Sequence, residues 1–439
     1  MKIINRFLIL LAFGTFATSC DVEEFSDLNG PEVSSLVADL SRGDLQDLIG
    51  GVFYSMRVGL GTYYDDVGVI GREYYRFSSS DPRLTADLLG RDNAILDNNT
   101  FYITTPWAAR YRSVKNINII LEGLNNTTAD FSDGELSSTR GFLKTLKAYE
   151  LLLNLNLTNE NGIRLNVEDP ANLGAFVSKT EALQGIRSLL EEGAADLAAG
   201  GDSFPFSMTA GFQSFNTPSA FLEVNNAISA RVAAYQGDYS AVLNFLEDSF
   251  LDLNGDLDEG IYYVFSEDQT DIPNPLFFPQ NASSAGARIV QPDFIDDAEA
   301  GDTRIEEKTS LRDESITFDG LTGNYDFFLY QTRTDAIPII RNAELVLLYA
   351  EANIFAGSDD EAVNALNVIR NSASLDDYSG DTSESDLIDE LLMQRRYELY
   401  GEGHRWIDAR RFGILDELPI DRPGDDVFDQ FPIPLTENQ

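Results

Sequence analysis

Between residues 63 and 77 the chain crowds together Tyr63, Tyr64, Asp65, Asp66, Arg72, Tyr74, Tyr75, Arg76 and Phe77. Phenol rings stack on the apolar faces of sugars, while carboxylates and guanidinium groups bond hydroxyls, so this mixture suits a binding site. The same tyrosines could be packed between a loop and the helices behind it, and composition leaves both readings open. A second candidate is the acidic loop holding Asp252, Asn254, Asp256, Asp258 and Glu259. Oxygens at alternate positions are what a hard cation such as calcium takes. An EF-hand loop needs glycine at position 6 and glutamate at position 12, where this chain has Leu257 and Tyr263. Asn254-Gly255 is also a strong turn signal, so an acidic hairpin turn is the alternative.

The single histidine, His404, lies in the run RRYELYGEGHRWIDARRFG. Nucleophilic catalysis through it would need a nucleophile and an orienting acid close in space, and the neighbouring sequence points to neither. A packed polar network is the simpler account, with His404 and the arginines paired to Glu398, Glu402 and Asp408, and Trp406 buried alongside. Adjacent carboxylates such as Asp65-Asp66, Glu191-Glu192 and Asp296-Asp297 are common in a chain with 73 acidic residues. They are poor support for glycoside hydrolysis, which needs two carboxyls opposed across a pocket.

Composition removes other classes. A formal charge of −42 over 439 residues repels a phosphate backbone, so nucleic-acid binding is excluded as a function. One cysteine and one histidine cannot form an internal disulfide, a thiolate metal site or a multi-histidine site. Hydrophobic residues at 43% and aromatics at 11% can bury a large core. Six lysines against this acidity describe a hydrated surface suited to a saline medium that screens self-repulsion.

The start of the chain sets a compartment. Lys2 and Arg6 precede a short apolar run, FLILLAF, and then Ala17-Thr18-Ser19-Cys20. The run is too short for a permanent membrane span and reads as an export signal. The cysteine after small residues resembles a bacterial lipobox, with Ala17 where leucine is more usual. Residues 1–19 are therefore expected to be a signal peptide, Cys20 to be lipidated, and residues 20–30 to form an acidic tether. The alternative is an ordinary signal peptide with an incidental cysteine. Loss of Lys2 and Arg6 with the leader takes the charge from −42 to −44.

Helical apolar spacing predicts helices near 35–57, 107–124, 136–157, 179–198, 219–236, 238–248, 338–355, 359–371, 384–400 and 403–411. Two pairs form helix hairpins, one turning at Gly237-Asp238 and one at Gly357-Ser358-Asp359; both resemble tetratricopeptide units. Residues 58–101 lack a sustained period and read as an irregular excursion with one short helix. Residues 249–337 read as hairpins and long loops. The expectation is one unit over residues 31–439, mainly α, interrupted by these two loop-rich excursions.

The run around His404 resembles the C-terminal signature of the SusD/RagB family of outer-membrane nutrient-binding lipoproteins of Bacteroidota. The matching residues are Arg395, Arg396, Glu398, Leu399, Glu402, Gly403, Arg405, Trp406, Asp408, Arg410 and Arg411. Residues 338–352, the ending FPIPLTE, and segments 204–239 and 274–304 also resemble the family in order. The resemblance implies a SusD-like scaffold of four tetratricopeptide-like units with an irregular lobe and a few short β-hairpins. It implies a glycan, or in some members a peptide, as ligand, and no catalysis. It implies a SusC-like TonB-dependent transporter as partner, and lipid anchoring in the outer membrane facing the cell exterior. Family sites draw on aromatics of the N-terminal excursion and middle lobe. That points to Tyr63, Tyr64, Asp65, Asp66, Arg72 and Tyr74, with Tyr262 and Arg333 as outlying candidates. Outside the signature only Trp107 is a tryptophan, so tyrosine or a more polar ligand is expected to replace a tryptophan platform. The resemblance does not supply a calcium role for Asp252–Asp258. A glycoside hydrolase and a helical protein-binding scaffold remain the competing readings.

Overall fold

Residues 37–169 and 171–438 are described by a computed structural model; the expected signal peptide, Cys20 and the acidic tether lie outside them. Reciprocal serine capping boxes start three of the described helices. In α1, Arg42–Arg57, the Ser41 hydroxyl accepts from the Asp44 N–H while the Asp44 carboxylate accepts from the Ser41 N–H. This reciprocal box satisfies backbone donors that a helix start leaves open. After α2 (Leu60–Ile70), strand β1 (Tyr74–Phe77), α3 (Arg83–Ala86) and α4 (Phe101–Asn126), the same device starts two more helices. Ser132 and Glu135 box α5, Asp133–Thr158, and Ser178 and Glu181 box α6, Lys179–Ala198. Strands β2 (Ile163–Arg164) and β3 (Phe176–Val177) pair between them.

Helix α5 packs on α4 and on α6, and α6 packs on α7, Pro218–Gln236. Glycine makes the α5–α6 approach possible: a Cβ on Gly141 would stand 2.7 Å from the Gly193 carbonyl and 2.6 Å from Leu197 Cγ. Asn225 ties the three helices, donating to Thr145 Oγ1 at 2.7 Å and to the Leu190 carbonyl at 3.1 Å. Helix α7 ends at Gly237 with φ +70°, and Asp238 caps α8, Tyr239–Glu247. The expected hairpin is therefore present, with glycine in the left-handed conformation that closes such a turn.

Strands then dominate. β4 (Gly260–Tyr263) pairs with β8 (Ile337–Arg341), and β5 (Ala287–Val290), β6 (Thr309–Phe318) and β7 (Leu321–Phe327) join β1 in an antiparallel sheet of order β1-β5-β7-β6. The short helices α9 (Pro292–Asp296) and α10 (Arg304–Lys308) lie between strands. Helices α11 (Asn342–Ala356) and α12 (Asp359–Ser372) form the second expected hairpin, turning at Gly357 with φ +70°. Helices α13 (Glu384–Glu398) and α14 (Arg405–Arg411) complete the chain's regular structure.

Two expectations need correction. The stretch 58–101 is less irregular than its composition implies, because eleven residues form α2 and four more form a sheet strand. Its glycines look like helix breakers, yet Gly68 is there for packing: a Cβ would stand 2.6 Å from the Tyr74 ring. The helix expected from 338 begins at Asn342, since Ile337–Arg341 is strand β8 paired with β4. An apolar run of this length fits either state until its partner is known.

The arginine-rich signature is structural. Arg395 on α13 grips Asp408 on α14 with bonds of 2.7 and 3.1 Å. Arg411 bonds the same carboxylate at 3.1 Å and also reaches Glu351 on α11. Arg231 on α7 forks onto Glu344 of α11 at 2.6 and 2.5 Å, and His404 Nε2 stands 3.8 Å from that glutamate. Burial pushes the His404 imidazole down to about 4, so it packs there uncharged. Trp406 is fully buried and donates to the Phe428 carbonyl at 2.7 Å, with the Arg410 guanidinium 4.0 Å over its ring. Gly401 (φ +75°) and Gly403 (φ +82°) make the turn between α13 and α14. A Cβ on Gly401 would stand 2.6 Å from Phe327. Behind the turn, Glu73 is buried and accepts from the Gly401 N–H at 2.9 Å.

Asp408→Asn removes the charge shared by two guanidinium groups. Urea unfolding should show a loss on the order of 3–5 kcal/mol. By contrast, Glu135→Gln at the exposed Arg42–Glu135 pair should cost less than about 1 kcal/mol. Burial raises the Glu73 carboxyl to about 8. The fold thus keeps a proton that the unfolded chain releases above the ordinary carboxyl range. Glu73 therefore contributes stability that is full at low pH and is lost as pH rises through about 8. Glu73→Gln keeps the acceptor and removes this titration. Its stability relative to the parent should rise between pH 5 and pH 8, and parallel pH profiles would refute the assignment.

Candidate functional site

A cleft of about 740 Å³ opens between the β4–β8 ribbon, α10, the loop after β7 and the end of α13. Its floor is an ion-paired layer. Arg341, the last residue of β8, donates to Glu398 Oε1 at 2.8 Å, to Glu402 Oε1 at 2.8 Å and to the Glu398 carbonyl at 2.7 Å. Lys308 at the end of α10 donates to the carbonyls of Tyr397 at 2.8 Å and Glu398 at 2.5 Å. Burial lowers the Lys308 ammonium and raises the Glu402 carboxyl. Against its own burial, the Glu402 and Glu398 carboxylates push Arg341 above its ordinary value.

These groups are occupied with one another. The Tyr330 hydroxyl in the lining has no hydrogen-bond partner, and Arg304 Nη1 makes only a long ion pair, 3.8 Å from Glu398 Oε2. Arg304 spends its other nitrogens on Asp302, at 2.9 and 2.7 Å, and on Gln394 at 2.9 Å. The Tyr330 hydroxyl and the Arg304 Nη1 are both closed off from solvent, so a ligand oxygen gains a bond there only when the side chain turns toward the cleft. Tyr262 supplies the aromatic wall. The β4–β8 register shifts between Ile261 and Tyr262, which comes to lie opposite Pro338, and such an irregularity re-aims a side chain next to a site. The Tyr262 hydroxyl donates to the Asp258 carbonyl, which fixes the ring. Asp258 and Glu307 add carboxylates at the exposed rim.

The sequence candidates divide. Tyr262 lines the cleft. Arg333 is on the loop after β7 but is exposed and stands 3.8 Å from Glu267, outside the lining. The N-terminal cluster is corrected: Tyr63, Tyr64, Asp65, Asp66, Arg72 and Tyr74 are all buried in the core, with no face for a ligand to stack on. Tyr63 accepts from Asn156 at 3.2 Å, and Tyr74 donates to the Tyr64 carbonyl at 2.8 Å. Asp65 takes two bonds from Arg288, at 2.7 and 2.9 Å. Arg72 donates to the carbonyls of Pro419 at 3.0 Å and Asp426 at 2.6 Å. Asp66 has no partner for either oxygen, and burial pushes its carboxyl well up. Helix α2 is apolar around most of its circumference, so even its polar positions face protein.

The calcium candidate is also corrected. Asp252 accepts from the Asn254 N–H at 2.8 Å, and Asp256 from the Asp258 N–H at 2.9 Å, so these carboxylates build the turn itself. The side chain of Asn342 holds the loop to α11 through the carbonyls of Asp252 and Asp256. Among the described residues, no three His, Cys, Asp or Glu side chains gather into a cation site. Trp107 is buried beneath the chain's end, donating to Glu437 at 2.8 Å. Sequence reasoning missed Arg304, Lys308, Tyr330 and Arg341 as a site. Arg304 and Arg341 lie in segments that resemble the family without a ligand role, and the four residues, from α10, the loop after β7 and β8, meet only in the fold.

Residues 328–431 match the SusD family model, SusD_RagB. The SusD-like protein P38 of Formosa agariphila is 36% identical over 83 residues, covering 17% of this chain and 16% of that protein. Solved structures match over far more of the chain. A SusD superfamily protein from Bacteroides vulgatus superposes with a TM-score of 0.68 at 18% identity, covering 90% of this chain and 96% of the other. Surface glycan-binding protein A from Bacteroides thetaiotaomicron gives a TM-score of 0.69 at 14% identity, with the same coverage of 90% and 96%. By sequence the chain resembles the SusD family over residues 328–431, and by fold it is similar to these two solved structures over about nine-tenths of its length.

Proposed function

We propose that this protein captures a saccharide in the cleft beneath Tyr262 and delivers it to a SusC-like TonB-dependent transporter, without transforming it. The observation that carries the reading is one cleft lined by Tyr262, Arg304 and Tyr330, in which the Tyr330 hydroxyl is left without a hydrogen-bond partner. Sugar hydroxyls accept such bonds while a ring face stacks on Tyr262. The fold supports the same reading, since relatives of this shape include a protein named for surface glycan binding. The anchor in this account is Cys20, lipidated after removal of residues 1–19 and holding the chain on the outer face of the outer membrane. No described helix is long and apolar enough to cross a membrane.

Calorimetric titration against a panel of neutral and acidic oligosaccharides tests the cleft. Tyr262→Ala should weaken the best ligand roughly ten- to a hundredfold, and Tyr330→Phe should weaken it by a smaller factor while the fold stays intact. A ligand whose affinity ignores both changes binds elsewhere. Release of reducing ends by the purified protein alone would overturn the non-catalytic part of the reading. Recovery of the protein from solubilised membranes without a large β-barrel partner would overturn the delivery part.

A further inference from the structure

The cleft between the β4–β8 ribbon and α10 carries both signs of charge, but it does not show both to a ligand. Its three cations, Arg304, Lys308 and Arg341, are all buried. Arg304 is closed on Asp302 at 2.7 Å, and Arg341 on Glu398 and Glu402, each at 2.8 Å. Lys308 is held by the carbonyls of Tyr397 and Glu398. The three carboxylates in this floor equal its cations in number, so the layer has no positive charge left to offer.

Three further carboxylates line the cleft, those of Asp258, Glu307 and Asp335. Asp335 is engaged by its own loop, accepting from the N–H groups of Gln331 and Thr332 at 2.5 and 2.8 Å. Asp258 lies before β4 with its side chain 79% exposed. It stands 3.5 Å from Arg341, a guanidinium that two glutamates already share. Glu307, on α10, is exposed and forms no ion pair among the described residues. The charge displayed inside the cleft is therefore negative, and it comes from two separate segments.

A hard metal ion asks for a dense set of oxygens, and among the described residues no three His, Cys, Asp or Glu side chains gather to provide one. An ammonium group asks for less. Its three N–H donors are met by one or two carboxylates through charge-assisted bonds, and an aromatic face attracts the cation. Tyr262 lines the same cleft as Asp258 and Glu307. We propose that the saccharide taken here carries a free amino group, with Glu307 and Asp258 holding its ammonium. This assignment rests on the reading of the cleft as a saccharide site, and it names the class of sugar. Acidic sugars meet the same two carboxylates, while the cations that could pair with them are closed off beneath.

Calorimetric titration of the purified full chain with matched sugars tests this. Oligomers of glucosamine and of galactosamine, each as the free amine and as the N-acetyl form, share a ring and differ in charge. At low salt the free amine should bind about three- to tenfold more tightly. In the Glu307→Gln/Asp258→Asn double variant the two forms should converge, with thermal unfolding showing that the fold is kept. A preference that persists in the double variant would belong to the acidic surface at large and would overturn the proposal. Free amines that bind no more tightly than their N-acetyl forms, or not at all, would overturn it as well. The reading of the cleft then stands or falls separately, by whether Tyr262→Ala weakens the best ligand of the wider panel.

Discussion

Three guanidinium groups and three carboxylates, closed on one another between four helices, are the constraint on which this fold rests. Arg231, Arg395 and Arg411 face Glu344, Glu351 and Asp408 in the interior, where an uncompensated charge is very costly. Each carboxylate has its guanidinium partner only when α7, α11, α13 and α14 are all in place. Hydrophobic contacts alone would tolerate sliding of one helix on another, whereas a bidentate fork accepts one register. His404 fits this interior because burial keeps it neutral beside Glu344.

The same segment gives the cleft its floor. Glu398 ends α13 and Glu402 sits between the two left-handed glycines of the following turn, and both meet Arg341. The ion-paired core and the candidate site are thus continuous. The core fixes where the end of α13 lies, and that position decides what Tyr330, Arg304 and Tyr262 surround. The floor's charges are paired with one another, and Tyr262, Arg304 and Tyr330 line the cleft with them. A site of this build can be preorganised without its ligand.

Much of the scaffold was legible in the sequence. Apolar spacing and glycine turns mark α5 to α8 and α11 to α14 closely, because those helices bury one face and end at residues that tolerate positive φ. Reading stopped where neighbours decide. The glycines of α2 signal a break locally and serve a close approach to Tyr74 in the fold. Residues 337–341 are as apolar as the helix that follows, and only pairing with β4 makes them a strand. The N-terminal tyrosines and acids have the composition of a sugar site and are core instead, since sequence does not show which polar groups find buried partners. Tyr262 was legible as an aromatic in the right lobe. Arg304, Lys308, Tyr330 and Arg341 were not, because their common feature is proximity across separations no motif spans.

Apart from the exposed Arg42 and Arg333, the arginines described above do their work inside or lying flat against the protein, bonded to carbonyls and buried carboxylates. Little of the chain's positive charge is therefore displayed outward, and the face shown to solvent is more uniformly anionic than the formula of −42 conveys. Such a surface sets a long-range filter that acts before any contact is made. Polyanions are turned away at a distance that lengthens as salt is diluted, while uncharged molecules approach freely. Neighbouring copies of the chain would likewise hold each other apart, each keeping its cleft clear of the next.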